Sequence, residues 1–347
     1  MPDSDVQPCQ GDFACLLVTG GAGFIGSNFV RFVLREHRLP HIVVFDKFTY
    51  AANLKSLSGV DLERLDIVEG DICDVAQVEQ VITDYGVDAI VNFAAESHND
   101  NAICDPAPFI STNVVGTYVL LEAARRHNLR FHQVSTDEVY GDLALDDSSR
   151  FTERSPYRPS GPYAASKAAA DHLVRAWHRT YGSRVTISNS SNNYGPRQHV
   201  EKFIPRQITN ILCGVRPKLY GDGRAVRDWI AVEDNCTAIW EVLTRGEIGR
   251  TYLIGADGER SNIQVLRMIL ERMGRPVDEF DWVRDRPGAD RRYALNASGI
   301  RDQLGWRPRC ADFAVGLDET IAWYRDHADW WMPSKAETED KYQREGH

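Results

Sequence analysis

Hydrophobic and polar positions follow two alternating patterns over roughly the first half of the chain. Short apolar runs rich in Val, Ile, Leu and Phe predict buried strands at residues 15–19, 41–46, 66–69, 89–93, 131–135 and 185–188. Longer segments, in which apolar residues recur every three or four positions, predict helices at residues 23–36, 75–85, 114–127 and 163–181. Because this alternation is typical of an α/β protein with helices on both faces of a parallel sheet, we predict a doubly wound parallel sheet.

The pattern changes near Asn192, beyond which prolines and glycines separate shorter elements. We therefore predict a second, smaller α/β lobe that binds the substrate. Residues 230–243 again resemble the start of a strand followed by a helix, so the chain is expected to return to the first lobe. The first lobe then comprises residues 1–195 plus about 228–256, and the second comprises about 196–227 plus 257–347.

The first predicted strand leads into a glycine-rich turn that opens a helix. Gly20, Gly23 and Gly26 allow a tight turn, close approach of the backbone to a pyrophosphate and close packing of helix on strand. The helix N-terminus adds N–H donors, and Phe24 and Ile25 are predicted to contact the same ligand. The pattern predicts a Rossmann-type dinucleotide site, although a strand-to-helix turn without a ligand can carry the same glycines.

An acid at the end of the second strand indicates which dinucleotide binds. Asp46 lies twenty positions after Gly26, where a carboxylate can accept hydrogen bonds from ribose hydroxyls and repels a 2′-phosphate. NAD is therefore favoured over NADP, and Lys47 follows at the same strand end.

Further cofactor contacts are predicted after the third and fourth strands. Asp71 and Ile72 can lie near the adenine, although Asp71 can equally be a loop acid or a helix N-cap. Ala94 and Ala95 are small enough for backbone that is pressed against a cofactor, and tight packing of a strand on a loop would use the same residues.

Tyr163 and Lys167 lie four positions apart and share one face of a predicted helix. The ammonium of Lys167 is expected to lower the pKa of the Tyr163 phenol, so that Tyr163 can take a proton from a substrate hydroxyl as a hydride leaves the same carbon. Thr136, at the end of the fifth strand, can donate a hydrogen bond to the same oxygen. Together these residues predict alcohol oxidation. A tyrosine and a lysine at this spacing, without the other motifs, are usually two exposed side chains on a helix.

Two acids, Asp137 and Glu138, follow that strand end directly. Adjacent carboxyl groups in a partly buried cleft oppose each other's ionisation, so one can stay protonated as an acid while the other acts as a base. Elimination of water beside a ketone needs one proton donor and one proton acceptor. Two solvated acids in a loop would give the same sequence pattern.

These motifs resemble the extended short-chain dehydrogenase/reductases, and within that family they are similar to the dTDP-glucose 4,6-dehydratases. The resemblance runs from Leu17 to about Trp331 and depends most on residues 136–141, 192–196 and 226–229. Epimerases and decarboxylases of the family share the glycines and the Tyr-Lys pair but normally lack the Asp-Glu pair. The resemblance therefore implies a hydro-lyase that acts on a nucleotide sugar.

The implied reaction has three steps on one hexose and keeps NAD tightly bound, because each cycle regenerates it. Tyr163, with Thr136 and Lys167, deprotonates the 4-hydroxyl while the C4 hydride passes to NAD. Glu138 removes the C5 proton and Asp137 protonates the departing C6 hydroxyl. Hydride then returns to C6, and the product is a 4-keto-6-deoxyhexose, most specifically dTDP-4-keto-6-deoxyglucose.

The resemblance also implies the residues that bind the nucleotide sugar. They are mostly polar or basic, because a diphosphate needs charge-assisted hydrogen-bond donors. Of Arg291 and Arg292, one is expected to contact the diphosphate. Solvated surface charges would look the same in the sequence. The implied set is Ser97, Thr136, Asn193, Lys202, Phe203, Arg227, Asn262, Arg291 and Arg292.

Several positions depart from the usual pattern of the family and leave the exact nucleotide and sugar open. Asn replaces the usual Val at Asn99 and the usual Arg at Asn101, and Asn189 stands where Arg is common. Arg197 replaces an aromatic residue, and Ala289 replaces His. The alternatives are a dehydratase of another nucleotide hexose, a nucleotide-sugar 4-epimerase and a non-catalytic NAD-binding sensor.

Bulk composition excludes some classes of partner. The 347 residues carry a net charge of −10, which argues against a nucleic-acid surface. Seven scattered cysteines without C-x-x-C spacing predict reduced thiols in a cytoplasmic protein and no metal site. Residues 1–12 lack a signal-peptide pattern, and no apolar run is long enough to span a membrane.

Two expectations concern the flanks of the chain and its assembly. The charged segment after Pro333 is expected to be frayed or to fold only against the body. Helices 114–127 and 163–181 cover one flank of the sheet, and the resemblance implies that they pair across a two-fold axis. We therefore expect a homodimer through a four-helix bundle.

Overall fold

The computed structural model describes residues 13–38, 40–285 and 288–344. The strands in these ranges are β1 (Cys15–Thr19), β2 (His41–Asp46), β3 (Leu65–Glu69), β4 (Ala89–Asn92), β5 (Arg130–Thr136), β6 (Val185–Ser190), β7 (Asn192–Tyr194), β8 (Lys218–Tyr220), β9 (Val226–Ala231), β10 (Thr251–Ile254), β11 (Glu259–Ser261) and β12 (Asp281–Val283). Seven of them form one parallel sheet in the order β10-β6-β5-β4-β1-β2-β3.

The helices lie between these strands and continue to the end of the described chain. They are α1 (Phe24–Glu36), α2 (Val75–Tyr85), α3 (Asn99–Cys104), α4 (Ala107–Phe109), α5 (Thr117–Arg126), α6 (Pro162–Tyr181), α7 (Phe203–Leu212), α8 (Val232–Arg245), α9 (Asn262–Arg272), α10 (Ser298–Leu304), α11 (Phe313–Asp326) and α12 (Ala328–Arg344). None of these helices is both long and apolar enough to cross a membrane.

Helices cover both faces of the large sheet because its strand residues alternate between two apolar cores. Leu16 and Val18 of β1 pack with α1 and α8 on one face, and Leu17 packs with α2 and α5 on the other. The predicted doubly wound α/β fold is confirmed, and each predicted strand is present with ends that differ by at most two residues.

The predicted helix 114–127 differs most from expectation. A π-helical stretch, Ile110–Gly116, precedes α5 and makes the helix continuous with α4. Within it the carbonyl of Asn113 accepts a hydrogen bond of 2.7 Å from the Thr117 hydroxyl. Periodicity at 3.6 residues does not describe this wider turn, which explains the missed start.

Beyond Asn192 the chain forms smaller units. Strands β7, β9 and β11 make a three-stranded sheet, and β8 pairs with β12. Helices α7, α9 and α11 pack on a separate apolar core that includes Ile204, Val265 and Leu317. Between these units β10 adds the seventh strand of the large sheet beside β6.

The segment after Pro333 folds against the body, which is the second of the two expected outcomes. Pro333 lies inside α12, whose Tyr342 is buried with its hydroxyl 3.2 Å from His98 Nε2. Lys335, also on this helix, donates a 2.7 Å hydrogen bond to Glu339. The six cysteines of the described ranges are free thiols, while Cys9 lies outside them.

A buried row of polar side chains links three central strands near the carboxyl ends of β1 and β4. The Thr19 hydroxyl donates to Asn92 Oδ1 at 2.6 Å, and Asn92 Nδ2 donates to Gln133 Oε1 at 2.9 Å. These three side chains are almost completely buried and cannot reach water. Their polar atoms therefore depend on the hydrogen bonds that they make with one another. The network fixes the edge of the sheet from which the loops described below emerge.

Replacement of Asn92 by Leu is expected to destabilise the protein by about 2–4 kcal/mol, because it leaves the Thr19 hydroxyl and the Gln133 carbonyl oxygen buried without these partners. Urea denaturation followed by circular dichroism measures the loss. The variant Gln303→Leu, at an exposed position of α10, is the control and should remain close to wild type. A loss below about 0.5 kcal/mol for Asn92→Leu would contradict a structural role for the network.

Candidate active site

A cavity of about 750 Å³ opens at the carboxyl ends of β1, β2, β4, β5 and β6. The order of the strands along the chain reverses between β1 and β4, and ligands of such sheets bind at this reversal. Most of the predicted site residues line the cavity: Gly20, Gly23, Phe24, Ile25, Gly26, Asp46, Lys47, Asp71, Ile72, Ala94, Ala95, Ser97, Thr136, Asp137, Glu138, Tyr163, Lys167, Asn193 and Lys202.

The glycine-rich turn packs closely on neighbouring backbone just before the start of α1. Gly20 has a φ of +67°, and a Cβ there would lie 2.7 Å from the backbone nitrogen of Ala94. A Cβ at Gly26 would lie 2.3 Å from the carbonyl oxygen of Gly20. No side chain caps α1 at Gly23, so the first N–H groups of the helix face the cavity and can bind an anion.

Asp46 is held rigidly at the end of β2. Its two carboxylate oxygens accept backbone hydrogen bonds of 2.9 Å, one from Ala22 and one from Phe48. Burial raises the pKa of Asp46, and the backbone hydrogen bonds oppose that shift. The carboxylate is therefore fixed at the place where ribose hydroxyls would approach.

Lys47 and Asp71 form an ion pair of 2.7 Å at the rim of the cavity. Burial raises the pKa of Asp71, but hydrogen bonds from Lys47 and from the Cys73 backbone outweigh it and lower the pKa overall. Asp71 is thus a cavity-lining loop acid, and Asp74 is the residue that caps α2.

The candidate catalytic residues come from two neighbouring elements. Thr136 ends β5, and a single 3₁₀ turn, Asp137–Tyr140, presents the two acids immediately after it. The Thr136 hydroxyl accepts a 3.3 Å hydrogen bond from the Glu138 backbone and fixes the start of this turn. Tyr163 and Lys167 lie in the first half of α6, which packs against β5 and the turn.

Asp137 has the environment of a proton donor. Its side chain is 1% exposed, and its Oδ2 is buried without a hydrogen-bond partner. Burial raises the pKa of Asp137 well above its usual value, and the charges of Glu138 and Asp228 raise it further. These surroundings favour the protonated form of Asp137.

Glu138 is half-buried and lines the cavity beside Asp137. Burial raises its pKa, while the positive charges of Arg227 and Lys202 and a hydrogen bond from Asn99 lower it. The two acids therefore differ in kind. Asp137 is more deeply buried and has two groups that favour ionisation, Arg227 and the Thr136 hydroxyl, whereas Glu138 has three.

Tyr163 is surrounded by groups that oppose its ionisation. Burial raises the pKa of its phenol, and the charges of Glu138 and Asp137 raise it further, with only a hydrogen bond to Thr136 opposing the shift. The side chains around Tyr163 thus favour the neutral phenol. The expectation that Lys167, with the positive potential of bound NAD, lowers the pKa of this phenol stays a prediction.

Lys167 is buried and is supported by a residue that the sequence reading missed. Its Nζ donates a 2.7 Å hydrogen bond to the carbonyl of Val134. Burial lowers the pKa of Lys167 to about 8, and the negative charge of Asp171, one helical turn further along α6, opposes the shift. The lysine therefore keeps its positive charge at neutral pH only narrowly.

Asp171 is itself the centre of a buried network. Its Oδ2 accepts hydrogen bonds from Ser135 at 2.9 Å, Tyr157 at 2.8 Å and Asn189 at 3.0 Å. Asp171 Oδ1 is buried without a partner. The spacing of Lys167 and Asp171 on α6 was the one signal in the sequence that could have indicated this pair.

Polar groups from the segment after β6 complete the opposite wall of the cavity. Asn192 Oδ1, Asn193 Oδ1 and Gln198 Oε1 are buried without a hydrogen-bond partner. Of these residues the sequence reading identified only Asn193. Unsatisfied buried acceptors in a ligand-sized cavity indicate a ligand that donates hydrogen bonds.

The remaining substrate residues implied by the resemblance do not line this cavity. Arg291 pairs with Asp142 at 2.7 Å, and the buried Arg292 pairs with Glu259 at 2.8 Å. Arg227 donates to two backbone carbonyls, although its charge still acts on both acids. Phe203 and Asn262 begin α7 and α9 outside the cavity lining.

Comparisons with known proteins agree with this geometry. Residues 17–320 match the family described as GDP-mannose 4,6 dehydratase. The chain belongs to this family. A relative from Mycolicibacterium smegmatis, dTDP-glucose 4,6-dehydratase, is 60% identical over 331 residues, which cover 95% of this chain and 99% of the relative.

Two solved structures show how family members with different reactions compare. A dTDP-glucose 4,6-dehydratase from Streptomyces venezuelae, with NAD and a dTDP ligand bound, has a TM-score of 0.88 and 46% identity and covers 92% of this chain and 99% of that one. A UDP-glucose 4-epimerase from Thermus thermophilus in complex with NAD has a TM-score of 0.82 and 28% identity, with 90% and 99% covered. The predicted membership of the extended short-chain dehydrogenase/reductases is confirmed.

Within the described residues, no three His, Cys, Asp or Glu side chains lie where they could hold a metal ion. What the site offers instead is a glycine-rich turn that can hold a dinucleotide, a Tyr-Lys pair and two acids in different surroundings. This arrangement suits proton transfers at neighbouring carbon and oxygen atoms.

Replacement of Asp171 by Asn removes the negative charge that supports the proton on Lys167. The pKa of Lys167 is then expected to fall below about 8. The titration is read from the Nζ resonance in protein labelled with isotopic lysine, and Lys167→Met assigns the signal.

Ser135→Ala is the matched control, because it removes one hydrogen bond to Asp171 and leaves the charge in place. Its Lys167 should titrate close to wild type. An Asp171→Asn variant whose lysine titrates at the wild-type pH would refute the electrostatic role of Asp171.

Proposed function

We propose that the protein converts dTDP-glucose into dTDP-4-keto-6-deoxyglucose and water with a bound NAD that is regenerated in each cycle. The observation that carries this proposal is the buried pair Asp137 and Glu138 beside Tyr163 in one cleft. A dehydrogenase needs only the tyrosine and the lysine, whereas loss of water also needs an acid and a base. The 60% identical relative named for this reaction supports the choice of substrate.

The cavity fits NAD at three places. Gly20 and Gly26 allow close backbone packing that a Cβ would prevent, and α1 would present its uncapped N-terminus to the pyrophosphate. Asp46 is fixed where it can accept hydrogen bonds from the ribose, and a 2′-phosphate there would meet a negative charge. Ala94 and Ala95 line the cavity with small side chains against which the cofactor could pack closely.

Bound NAD would accept a hydride from C4 of the hexose and return it to C6, and its nicotinamide would add positive charge near Tyr163. That charge matters here, because the protein's own groups raise the pKa of Tyr163. Tyr163 takes the proton of the 4-hydroxyl, with Thr136 donating to the same oxygen. Lys167 stabilises the phenolate from α6.

The two acids act on the neighbouring carbons. Glu138 removes the C5 proton, which the new ketone at C4 has made acidic, and Asp137 gives its proton to the C6 hydroxyl, which leaves as water. Glu138 then returns its proton to C5. The proton gained by Tyr163 balances the one lost by Asp137, so exchange with solvent resets both groups.

For the nucleotide sugar we propose contacts from Ser97, Asn193 and Lys202, since these residues line the cavity. The unpartnered Asn193 Oδ1 supplies an acceptor, and Lys202 supplies a cation. Arg227 contributes its charge at the acid pair. Contacts from Phe203, Asn262, Arg291 and Arg292 remain predictions, and Arg291 and Arg292 would first have to leave their present carboxylate partners.

The function is tested by incubation of the NAD-loaded protein with dTDP-, UDP- and GDP-glucose, scored by mass and by NMR of the product. We expect dTDP-4-keto-6-deoxyglucose as the fastest product. Tyr163→Phe should form at least 100-fold less product, because it lacks the proton acceptor.

The second candidate, 4-epimerisation, is kept because the solved epimerase shares this fold and binds NAD. Release of dTDP-galactose without a 4-keto product would support it and contradict dehydration. A faster reaction with UDP- or GDP-glucose would correct the nucleotide, and no turnover of any sugar would favour a sensor.

We propose that two copies assemble through the flank formed by α5, α6 and the π-helical stretch. Ile110, Val115, Tyr118 and Tyr181 place large apolar side chains there, each about half exposed. Two copies would cover this surface as a four-helix bundle. Light scattering should give twice the mass of one chain, whereas Val115→Glu combined with Tyr118→Lys should give a monomer. A monomeric wild type would contradict the proposal.

We further propose the division into an NAD-binding lobe, residues 1–195 plus about 228–256, and a nucleotide-sugar lobe formed by the rest. The place of β10 in the large sheet supports the discontinuous first lobe. A cytoplasmic location is also proposed, because the six described cysteines are free thiols.

A further inference from the structure

Asn99 lies beside the candidate base of the elimination step. Strands β4 and β5 are parallel neighbours, so the segments that follow their carboxyl ends lie side by side. Asn99 begins α3 after β4, and Glu138 lies in the turn after β5. The Asn99 amide nitrogen donates to Glu138 Oε2 at 3.3 Å.

Within the described ranges of the chain, Asn99 is the one residue that donates a hydrogen bond directly to the Glu138 carboxylate. The other groups near it act through charge. Arg227 and Lys202 favour its ionised form, and Asp290 disfavours it. Glu138 in turn raises the pKa of its neighbours Asp137, Tyr163 and Tyr293.

We propose that Asn99 is a positioning residue for Glu138 that holds Oε2 by a hydrogen bond and directs Oε1 toward the C5 proton. This inference rests on the proposed dehydration. Asn99 is half-buried at the start of a short helix that packs on α6, so its amide is held in place with the catalytic residues.

The identity of the residue gives the proposal its chemical content. An amide at this position offers a hydrogen-bond donor to a carboxylate, whereas an apolar side chain such as Val offers none. A hydrogen bond to the charged form of an acid lowers its pKa, so Asn99 opposes the rise that burial imposes on Glu138. This chain should therefore keep its base active at lower pH than a chain with Val.

The test uses the NAD-loaded protein with dTDP-glucose and three variants. Asn99→Val removes the amide donor. Asn99→Asp also removes the donor, keeps the shape of the side chain and places a second negative charge beside Glu138. Asn101→Val is the matched control two residues later on α3, where the amide donates instead to the Tyr50 hydroxyl at 3.2 Å. Single-turnover absorbance follows the formation and the decay of reduced cofactor separately across pH.

Glu138 must be ionised to act as a base. The rate at which reduced cofactor decays should therefore fall as the pH drops through the pKa of Glu138. In Asn99→Val this acid limb should move to higher pH by about one unit, a factor of about ten in rate on the limb. Asn99→Asp should move it further, and Asn101→Val should leave it in place. The formation phase, which depends on Tyr163, should change little in Asn99→Val.

A second readout does not depend on turnover. The Cδ resonance of Glu138 in protein labelled with isotopic glutamate, assigned by its loss in Glu138→Gln, should titrate at higher pH in Asn99→Val than in wild type. A Glu138 titration and an acid limb that do not move, or an equal loss of both phases at every pH, would overturn the role of Asn99 while 4-keto product still forms. Failure of the wild type to form 4-keto product would overturn the proposed function and this inference together.

Discussion

Burial of two adjacent carboxyl groups at the end of β5 costs free energy unless at least one of them keeps its proton. Asp137 lies deepest and has an oxygen without a partner, and Glu138 has nearby positive charge and an amide donor. The fold thus separates two chemically similar side chains into an acid and a base. The rest of the cleft depends on this separation, because it turns a site for alcohol oxidation into one that can also remove water.

The same burial disfavours the charged forms of Tyr163 and Lys167, and residues on α6 and the neighbouring strands oppose this effect at Lys167. Both acids raise the pKa of Tyr163, and burial lowers the pKa of Lys167 to about 8. Asp171 supports the lysine's charge from the next turn of the helix. Ser135 and Asn189 hold Asp171 from β5 and β6, so the strands that carry the catalytic turn also fix the group that maintains the ammonium.

Much of the fold and the centre of the site could be predicted from the sequence, because both depend on local patterns. Strand and helix periodicity located the elements of the large sheet, and the glycine spacing located the dinucleotide turn. The parallel topology then brings residues 20, 46, 94 and 136 to one edge without further information. The predicted helix boundaries were wrong where the backbone departs from ideal α-helical geometry, as in the π-helical stretch before α5.

Contacts between distant segments could not be predicted in the same way. Asn189 and Asp171 meet only after β6 is placed beside β5, and Asn99 meets Glu138 only because β4 lies on the other side of β5. The direction of the Tyr163 pKa depends on a sum of burial and opposing charges that spacing along a helix does not contain. Arg291 and Arg292 carried the right charge for a diphosphate, but the structure pairs them with Asp142 and Glu259.

The central claim is that one cleft oxidises C4, removes water across C5 and C6, and returns the same hydride to C6. The most direct measurement follows the label from C4-deuterated dTDP-glucose by NMR of the product in ordinary water. We predict deuterium at C6 of a 4-keto-6-deoxy product and a solvent proton at C5 whenever Glu138 exchanges before it returns its proton. Deuterium that remains at C4, or that is lost from the sugar, would contradict this claim.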